Sequence, residues 1–561
     1  MGLRVPRSPF PVPRSPVPPF PVPRSPCPSH VPRFTAVELL VVSSLLLLGV
    51  AGRVAYPQRI SVEHFDEGVY ANDTWFANGY VSHELYAPPL LPKLIHLSVL
   101  FFPATSYGPA VPNLLAGCAT LLLAWWLSRS WLGPVAGLVT LTAGAVCQLH
   151  AAFSRTALTD PMFTWWVAVA LFFAERWMRT DRWLHVVGLG LAAGLAWWTK
   201  YNGWFPLAVA AASVVALGAF PVTRDGTIRR GVGVLVATVI AAMVWLPVWW
   251  SLPNGYRPIA ENHARYLVGV GGWWGSAWRQ IQQLAIFDGG WPLVIGLAGC
   301  AAVAADALRA AREQRRNDLV ARVVLLIWLG SLTLAIPLYT PYARLLLPWS
   351  VATWLVAGGL WAGRSRMGPP SAQLATETPA RMRANEVPRW RRATQGGVLL
   401  LAGMLGVGHL ATWGWLPFEN RGGLSEAAER ILSDLLRARV PVNSFRAYGE
   451  PALTYQFFAR DAVTLPLGDL ELARSTSPAA RQLVFLIGPH AESDPEFQKA
   501  WAEYQARFEL LQEVAVPRSW LVRLDTESTA ELRRQPQRRI TIRVYRLAST
   551  VREVSDSPRL R

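Results

Sequence analysis

Lysine is almost missing from this chain. Of its 54 basic residues only Lys93, Lys200 and Lys499 are lysines. Cysteine is as scarce. Cys27, Cys118, Cys147 and Cys300 have no metal-ligand spacing and suggest no disulfide framework. The last three lie in apolar runs and read as small core residues. Charge of either sign is thin: 16% of 561 residues, against roughly 25% in globular proteins. Apolar residues make up 52%. They come in blocks close to the roughly 20 residues that cross a bilayer, not in the 3.6 or 2 periods of amphipathic elements. A chain built from soluble domains is therefore excluded, and the expectation is a mainly α, polytopic helical membrane protein.

The net charge of +18 does not indicate nucleic acid. The positive charge is nearly all Arg, and much of it sits in short loops between apolar runs, the signature of cytoplasmic loops. The spans are expected at about 34–52, 109–128, 131–149, 161–177, 183–199, 203–220, 231–250, 289–306, 320–338, 345–363 and 396–416, about eleven in all. With the N-terminus inside, the Arg clusters "ERWMRTDR", "TRDGTIRR", "RAAREQRRND" and "GRSRMG…RWRR" all fall on the cytoplasmic side of the cell membrane.

Residues 1–33 repeat "VPRSP" at Val5, Val12 and Val22. Proline this dense forms neither helix nor sheet, so the segment reads as a disordered cytoplasmic tail. Residues 34–416 form the membrane domain, with a large first external loop at 53–108. Within that loop "PPLLPKLIHLSVLFFP" reads as a helix lying along the interface rather than a span. Residues 417–561 read as a small external α/β domain. In it "RQLVFLIGPH", "SWLVRLD" and "RRITIRVYRL" are expected strands and "SDPEFQKAWAEYQARFELL" an expected helix. The residues from about 548 are expected to fray.

The unusual polar residues gather in the loops assigned outside. "SVEHFDEGVYAND" carries Glu63, His64, Asp66, Glu67 and Asp73, and His83, Glu84 and Lys93 follow in the same loop. "SRTALTDPMF" adds Arg155 and Asp160, "TKYNG" adds Lys200 and Tyr201, and "YTPYARLLLP" adds Tyr339, Tyr342 and Arg344. Ionisable groups at a bilayer margin are costly unless they meet water, a partner or a substrate. Several from distant segments suggest one shared cavity. Arg and Lys would neutralise a phosphate at headgroup level. A carboxylate there would bind sugar hydroxyls or take a proton from an attacking hydroxyl. Blander roles stand beside these. Asp160 could cap the helix that follows it, Arg155 and Arg344 could be interfacial anchors, and Tyr339 and Tyr342 belt aromatics. A divalent cation is left open: His64, His83, Glu84 and Asp73 are ligand types whose spacing fits no standard motif.

"HFDEGVYANDTWFANGYVSHELYAPPLLPKLI" resembles the first external loop of the protein O-mannosyltransferases and their bacterial relatives. There an Asp-Glu pair opens the loop and "PPL…KL" closes it. "SRTALTDPMF", "GLAAGLAWWTKYNG" and "PYARLLLPW" resemble, in matching order, segments of the lipid A aminoarabinose transferase group. The resemblance covers about 60–350 in blocks. It implies a GT-C type membrane glycosyltransferase that uses a polyprenyl-phosphate sugar donor and a lipid, glycan or protein acceptor. It implies Asp66 as the catalytic base and Glu67 as the neighbour that orients the site. Asp160 would border the same cavity, with Lys200 and Arg344 near the carrier phosphate. Arg155, Tyr201, Tyr342 and Lys93 complete the expected binding set. At Ala87 the mannosyltransferases favour His and the aminoarabinose transferase Lys, so the motif does not define the sugar. The rival reading is a transporter or lipid flippase, which the absence of an internal repeat disfavours.

Overall fold

Proline and glycine mark where the long apolar runs begin and turn. Pro stands in the first helical turn of α4 (Val111–Leu132), α5 (Pro134–Val146), α9 (Phe205–Gly218), α14 (Trp291–Arg312) and α16 (Leu347–Gly359). Its missing N–H has no intrahelical partner there anyway. Gly133, at φ 112°, makes the reversal between α4 and α5 in a backbone region that side chains disfavour. The computed structural model describes residues 35–72, 87–252, 255–362, 389–439, 444–448, 450–460, 464–465, 483–525, 527–535 and 537–548. The tail 1–33, the residues Asp73, His83 and Glu84, and the end beyond 548 lie outside them.

Each of the eleven expected spans overlaps a helix. Among the described residues, however, only six helices are long and apolar enough to cross a membrane, or seven if a bent pair counts as one. The six include α1 (Ala36–Val54), α4, α11 (Thr227–Ser251), α14 and α15 (Arg316–Ala335). The bent pair is α5 with α6 (Gln148–Ser154), broken by 61°. Among the rest, α8 (Trp183–Thr199) has 17 residues and α16 has 13. Every residue of α16 except Trp349 is buried, so its apolarity serves packing against α14 and α5. The protein is an integral membrane protein in which the short α16 is enclosed, whereas the short α8 exposes Leu184, Val187 and Leu191. As expected, "PPLLPKLIHL" gives a short helix, α3 (Leu90–Val99), of 10 residues.

The C-terminal region holds a five-stranded sheet in the order β2-β1-β3-β5-β4. Its strands are β1 (Ser444–Tyr448), β2 (Thr464–Leu465), β3 (Leu483–Ile487), β4 (Phe508–Pro517) and β5 (Arg539–Leu547). β1 runs parallel to β2 and β3, and β5 antiparallel to β3 and β4. Two of the three expected strands are there. The third, "SWLVRLD", is instead a helical turn, Trp520–Arg523, because the Ser519 side chain caps it by accepting from the Leu521 N–H. The expected long helix is also cut: it ends at Tyr504, and Phe508 opens β4, whose burial alternates from Glu513 to Pro517.

The C-terminal region packs on the segment that follows α1. The helix α2 (Phe65–Asn72) packs against the helix Pro451–Phe458. Gly68 permits the contact, since a Cβ there would lie 2.0 Å from the Ala452 backbone nitrogen. Asn72 donates to the Pro451 carbonyl at 2.7 Å, and Gln456 donates to the Val62 carbonyl at 2.9 Å.

Candidate active site

Four segments remote in sequence converge on Arg344. A 3-10 turn, Ala343–Leu346, presents it at the start of α16. One guanidinium nitrogen meets Asp66 Oδ2 of α2 at 2.6 Å, and the others lie 3.9 Å from Asp160 Oδ2 and 3.8 Å from Asp525 Oδ2. Burial opposes the charge on Arg344, but Asp66, Asp525 and Asp160 outweigh it and raise the guanidinium well above its ordinary value. Lys200, just past α8, is ion-paired with Asp160. Asp160 lies in the first turn of α7 (Thr159–Thr180), but the N-cap is Leu158 and carries no side-chain cap bond. The Asp160 carboxylate therefore belongs to the site and not to a cap, while still gaining from the helix dipole.

The carboxylates are surrounded by phenols. Burial first, and then the charge of Asp66, raises Tyr70 well above its ordinary value. Burial and the charge of Asp525 push Tyr342 up to about 12, and burial raises Tyr339 as well. All three stay neutral donors at physiological pH. The Arg344 guanidinium lies over the Tyr342 ring at 5.0 Å, and Tyr266, Tyr339 and Tyr342 contact one another ring to ring. The tyrosines expected as belt residues thus wall the cationic centre.

Glu67 is adjacent to Asp66 and differently placed. It is 0% exposed. Its Oε2 accepts from the backbone N–H of His64 at 2.9 Å and of Glu63 at 3.1 Å, closing its own helix start, and also pairs with Arg421. Its Oε1 accepts from the Ala157 N–H at 2.8 Å. Burial alone would raise its carboxyl, but the charge and hydrogen bond of Arg421 hold it below its ordinary value. Asn113 fixes the same turn by donating to the Thr156 carbonyl at 2.7 Å and the Leu158 carbonyl at 2.6 Å. Glu67 thereby joins the loop that presents Asp66 to the loop that presents Asp160.

The other expected residues divide. Lys93 on α3 lies over the Trp198 ring at 5.2 Å, two residues before Lys200. Arg155 is tied elsewhere: its Nη1 donates to the Arg53 and Ala55 carbonyls at 2.6 Å and its Nη2 to the Tyr56 carbonyl at 3.2 Å. The carbonyls that end α1 have no intrahelical partner, and Arg155 supplies one. Tyr201 packs edge-on against Trp245 at 5.9 Å, Tyr256 at 5.9 Å and His263 at 5.7 Å, in an aromatic cluster of its own. Asp525 and Arg421 were missed by the sequence reading. Among the described residues no group of three His, Cys, Asp or Glu is arranged to hold a metal ion.

An apolar groove of about 450 Å³ runs between α3, α4 and α7. It is lined by Leu94 and Leu97 of α3, Leu115 and Ala119 of α4, and Met162 and Trp166 of α7. Leu94 follows Lys93 in α3 and Met162 follows Asp160 by two residues in α7, so the groove shares its helices with the charged centre while its lining is uncharged.

Residues 86–250 match the family model described as dolichyl-phosphate-mannose-protein mannosyltransferase. The match includes Lys93, Asp160 and Lys200 and excludes Asp66, Glu67 and Arg344. No curated protein matches the chain in sequence. Among solved structures, ArnT from Cupriavidus metallidurans bound to undecaprenyl phosphate is similar at a TM-score of 0.53 and 15% identity, covering 91% of this chain and 98% of that one. The Archaeoglobus fulgidus oligosaccharyltransferase in complex with Zn and sulfate is similar at a TM-score of 0.51 and 12% identity, covering 83% of this chain and 69% of that one. The chain thus resembles the protein mannosyltransferase family over residues 86–250 and carries the fold of the GT-C membrane glycosyltransferases.

Proposed function

We propose that the protein transfers a glycosyl group from a polyprenyl-phosphate sugar to a lipid, glycan or protein acceptor on the external face of the cell membrane. The observation that carries this reading is the convergence of carboxylates on two cations, Arg344 and Lys200, from segments remote in sequence. An apolar groove lies along α3 and α7, the helices that also carry Lys93 and Asp160. A lipid-borne phosphate needs both: apolar walls for its chain and cations for its headgroup. The bound undecaprenyl phosphate of the similar ArnT structure supports the same class of ligand.

The mechanism follows from the charges. With its proton on Asp66, an acceptor hydroxyl or amine attacks the anomeric carbon from the face opposite the carrier and inverts it. The carbon–oxygen bond to the carrier breaks, and the phosphate departs with the electron pair. Lys200 and Arg344 offset the charge that grows on it. A phosphate is already a good leaving group, so no strong general acid is required. Arg344 is paired with Asp66 and Lys200 with Asp160. An arriving phosphate competes for both cations, and release of Arg344 unmasks the base.

The test is incubation of purified protein with a panel of polyprenyl-phosphate sugars and candidate acceptors, following carrier phosphate by mass spectrometry. Release of carrier that depends on acceptor supports the reading. Movement of intact donor across a vesicle bilayer without cleavage would support the flippase instead.

A further inference from the structure

The C-terminal domain reaches the charged centre with one side chain. Asp525 follows the helical turn Trp520–Arg523, and its Oδ2 meets His64 Nε2 at 2.9 Å and lies 3.8 Å from Arg344 Nη2. Its position is held from three sides. Glu419 accepts from Ser519 Oγ at 3.0 Å and from the Trp520 N–H at 2.7 Å. The buried Gln283 donates to the Leu524 carbonyl at 3.2 Å and to the Pro341 carbonyl at 2.7 Å, tying the Asp525 segment to the loop that carries Arg344. Arg523 and Glu527 pair across the turn at 2.8 Å.

The proton on His64 can be placed from its neighbours. The backbone N–H of Asp66 donates to His64 Nδ1 at 3.0 Å. That nitrogen must be an acceptor, so the ring's proton is on Nε2 and is donated to Asp525. One neutral imidazole therefore holds the backbone of Asp66 at one edge and the carboxylate of Asp525 at the other. Asp525 Oδ1 is buried and has no hydrogen-bond partner among the described residues. A buried carboxylate oxygen without a partner is costly, and folding economy alone does not account for it.

Arg344 thus faces Asp66 on α2, Asp160 on α7 and Asp525 from the C-terminal domain. Lys200 beyond α8, and the phenols Tyr70, Tyr339 and Tyr342, complete the ionisable surroundings. Two cations are set against three carboxylates with His64 neutral. Arg344 is shared, and Asp66 is not fully neutralised by it.

We infer that Asp525 is a positioning residue for the transfer step: through Arg344 it keeps Asp66 basic, and through His64 it fixes where Asp66 stands. The inference rests on the transferase reading above. It makes docking of the C-terminal domain a condition of turnover, because the membrane domain alone lacks this carboxylate.

The experiment compares Asp525→Asn, Asp525→Glu and Glu527→Gln in the full chain. For each it measures turnover against pH, binding of undecaprenyl phosphate and the melting temperature. Asparagine keeps the shape and an acceptor for His64 but removes the charge. Arg344 then pairs more fully with Asp66, so kcat falls about three- to tenfold and the acid limb of the pH–rate profile moves to lower pH. Carrier binding stays level or tightens about threefold, since a negative charge has left a phosphate site. Asp525→Glu restores the acid limb toward the wild type. Glu527→Gln loosens the same segment and lowers the melting temperature without moving the limb.

Unchanged kcat and pH profile in Asp525→Asn overturn the inference. So does a parallel fall in turnover, binding and melting temperature, or the same signature in Glu527→Gln. If Asp525→Asn does not fold, an Asp525→Glu variant that is folded and no more active than background overturns it too. A wild-type protein that transfers from no donor overturns the transferase reading, and the role of Asp525 falls with it. Wild-type transfer with an indifferent Asp525→Asn overturns the role alone.

Discussion

Two carboxylate–arginine pairs stand one residue apart in this protein. Glu67 and Arg421 are sealed, with side chains 1% and 4% exposed, and further backbone donors occupy both Glu67 oxygens. Asp66 and Arg344 are at 12% and 13%, and the arginine is shared with two further acids. Opposite charges at close range do different work in these two settings. The sealed pair cannot exchange partners without leaving a charge buried, so it acts as a rivet between loops. The shared pair has alternative partners within 4 Å, so a phosphate can displace one of them at little cost. A helix places successive side chains about 100° apart, and that rotation alone sends Glu67 toward Arg421 and Asp66 toward Arg344.

Neutralising each member of the comparison should separate chemistry from structure. Asp66→Asn should lower kcat by about 10²- to 10⁴-fold and leave the melting temperature within a degree or two, read by donor turnover and by thermal unfolding in detergent. Glu67→Gln should do the reverse in kind. It leaves Arg421 without its full counter-charge and should cost about 3 kcal/mol of stability, with activity per folded molecule falling far less than in Asp66→Asn. If Glu67→Gln were as stable as the wild type and as inactive as Asp66→Asn, the division between rivet and base would be wrong.

The contact that holds the two regions together can be broken from a third position. A Cβ at Gly68 would meet the backbone of Ala452 and Pro451 at 2.0–2.3 Å, and backbone cannot move aside as a side chain does. Gly68→Ala should cost about 1–3 kcal/mol and expose the region after residue 437 to limited proteolysis. Retention of the wild-type cleavage pattern would mean that the helices part elsewhere.

How much of this the sequence disclosed depends on whether a residue advertises itself locally. Asp66, Asp160, Lys200 and Arg344 are ionisable groups at the margins of apolar runs, and that incongruity marked them. The structure brings these four together. Asp525 carried no such mark, since it ends "SWLVRLD", whose apolar alternation imitates a strand. Only the Ser519 cap makes that stretch a turn. Arg421 lies 354 residues from Glu67, in a Gly-rich turn with no local sign of a partner. Arg155 had the mark of a site residue, but the open carbonyls at the end of α1 claimed it. Six or seven of the eleven expected spans coincide with helices long and apolar enough to cross a membrane, and an enclosed helix such as α16 is as apolar as an exposed one, a difference that composition does not carry. Apolarity reports removal from water, and both protein and lipid achieve that.

On the shared side of the comparison, the two lysines of the membrane domain should differ in degree. Lys200 touches the carboxylate cluster, so Lys200→Met should lower kcat as well as raise the KM for donor. Lys93 lies over the Trp198 ring, one residue before the groove-lining Leu94, so Lys93→Ala should raise KM by about tenfold with kcat nearly kept, the loss of one charge-assisted contact. Equal effects of both on kcat would place Lys93 at the reacting phosphate rather than beside the groove.

The smallest expected effect lies on the sealed side and concerns protons. Glu63 neighbours the rivet. Its Oε1 accepts from the Gly423 N–H at 2.7 Å, while its Oε2 is buried with no partner among the described residues. Burial pushes its carboxyl from the ordinary 4.5 up to about 8, and the charge of Arg421, already engaged by Glu67, offsets only part of the shift. A carboxyl raised on folding holds a proton in the native state that the unfolded chain has lost. The stability it contributes is therefore full below about pH 4.5 and drains away as pH rises toward about 8. Glu63→Gln replaces the protonated acid with a permanent neutral mimic. Its unfolding free energy should match the wild type near pH 5, exceed it increasingly as pH rises toward about 8, and leave donor turnover unaltered. Parallel stability curves across that range would mean that Glu63 is ionised in the fold and that Arg421 serves two carboxylates at once. The sealed pair would then be a shared one like its neighbour, and the contrast between the two arginines would rest on exposure alone.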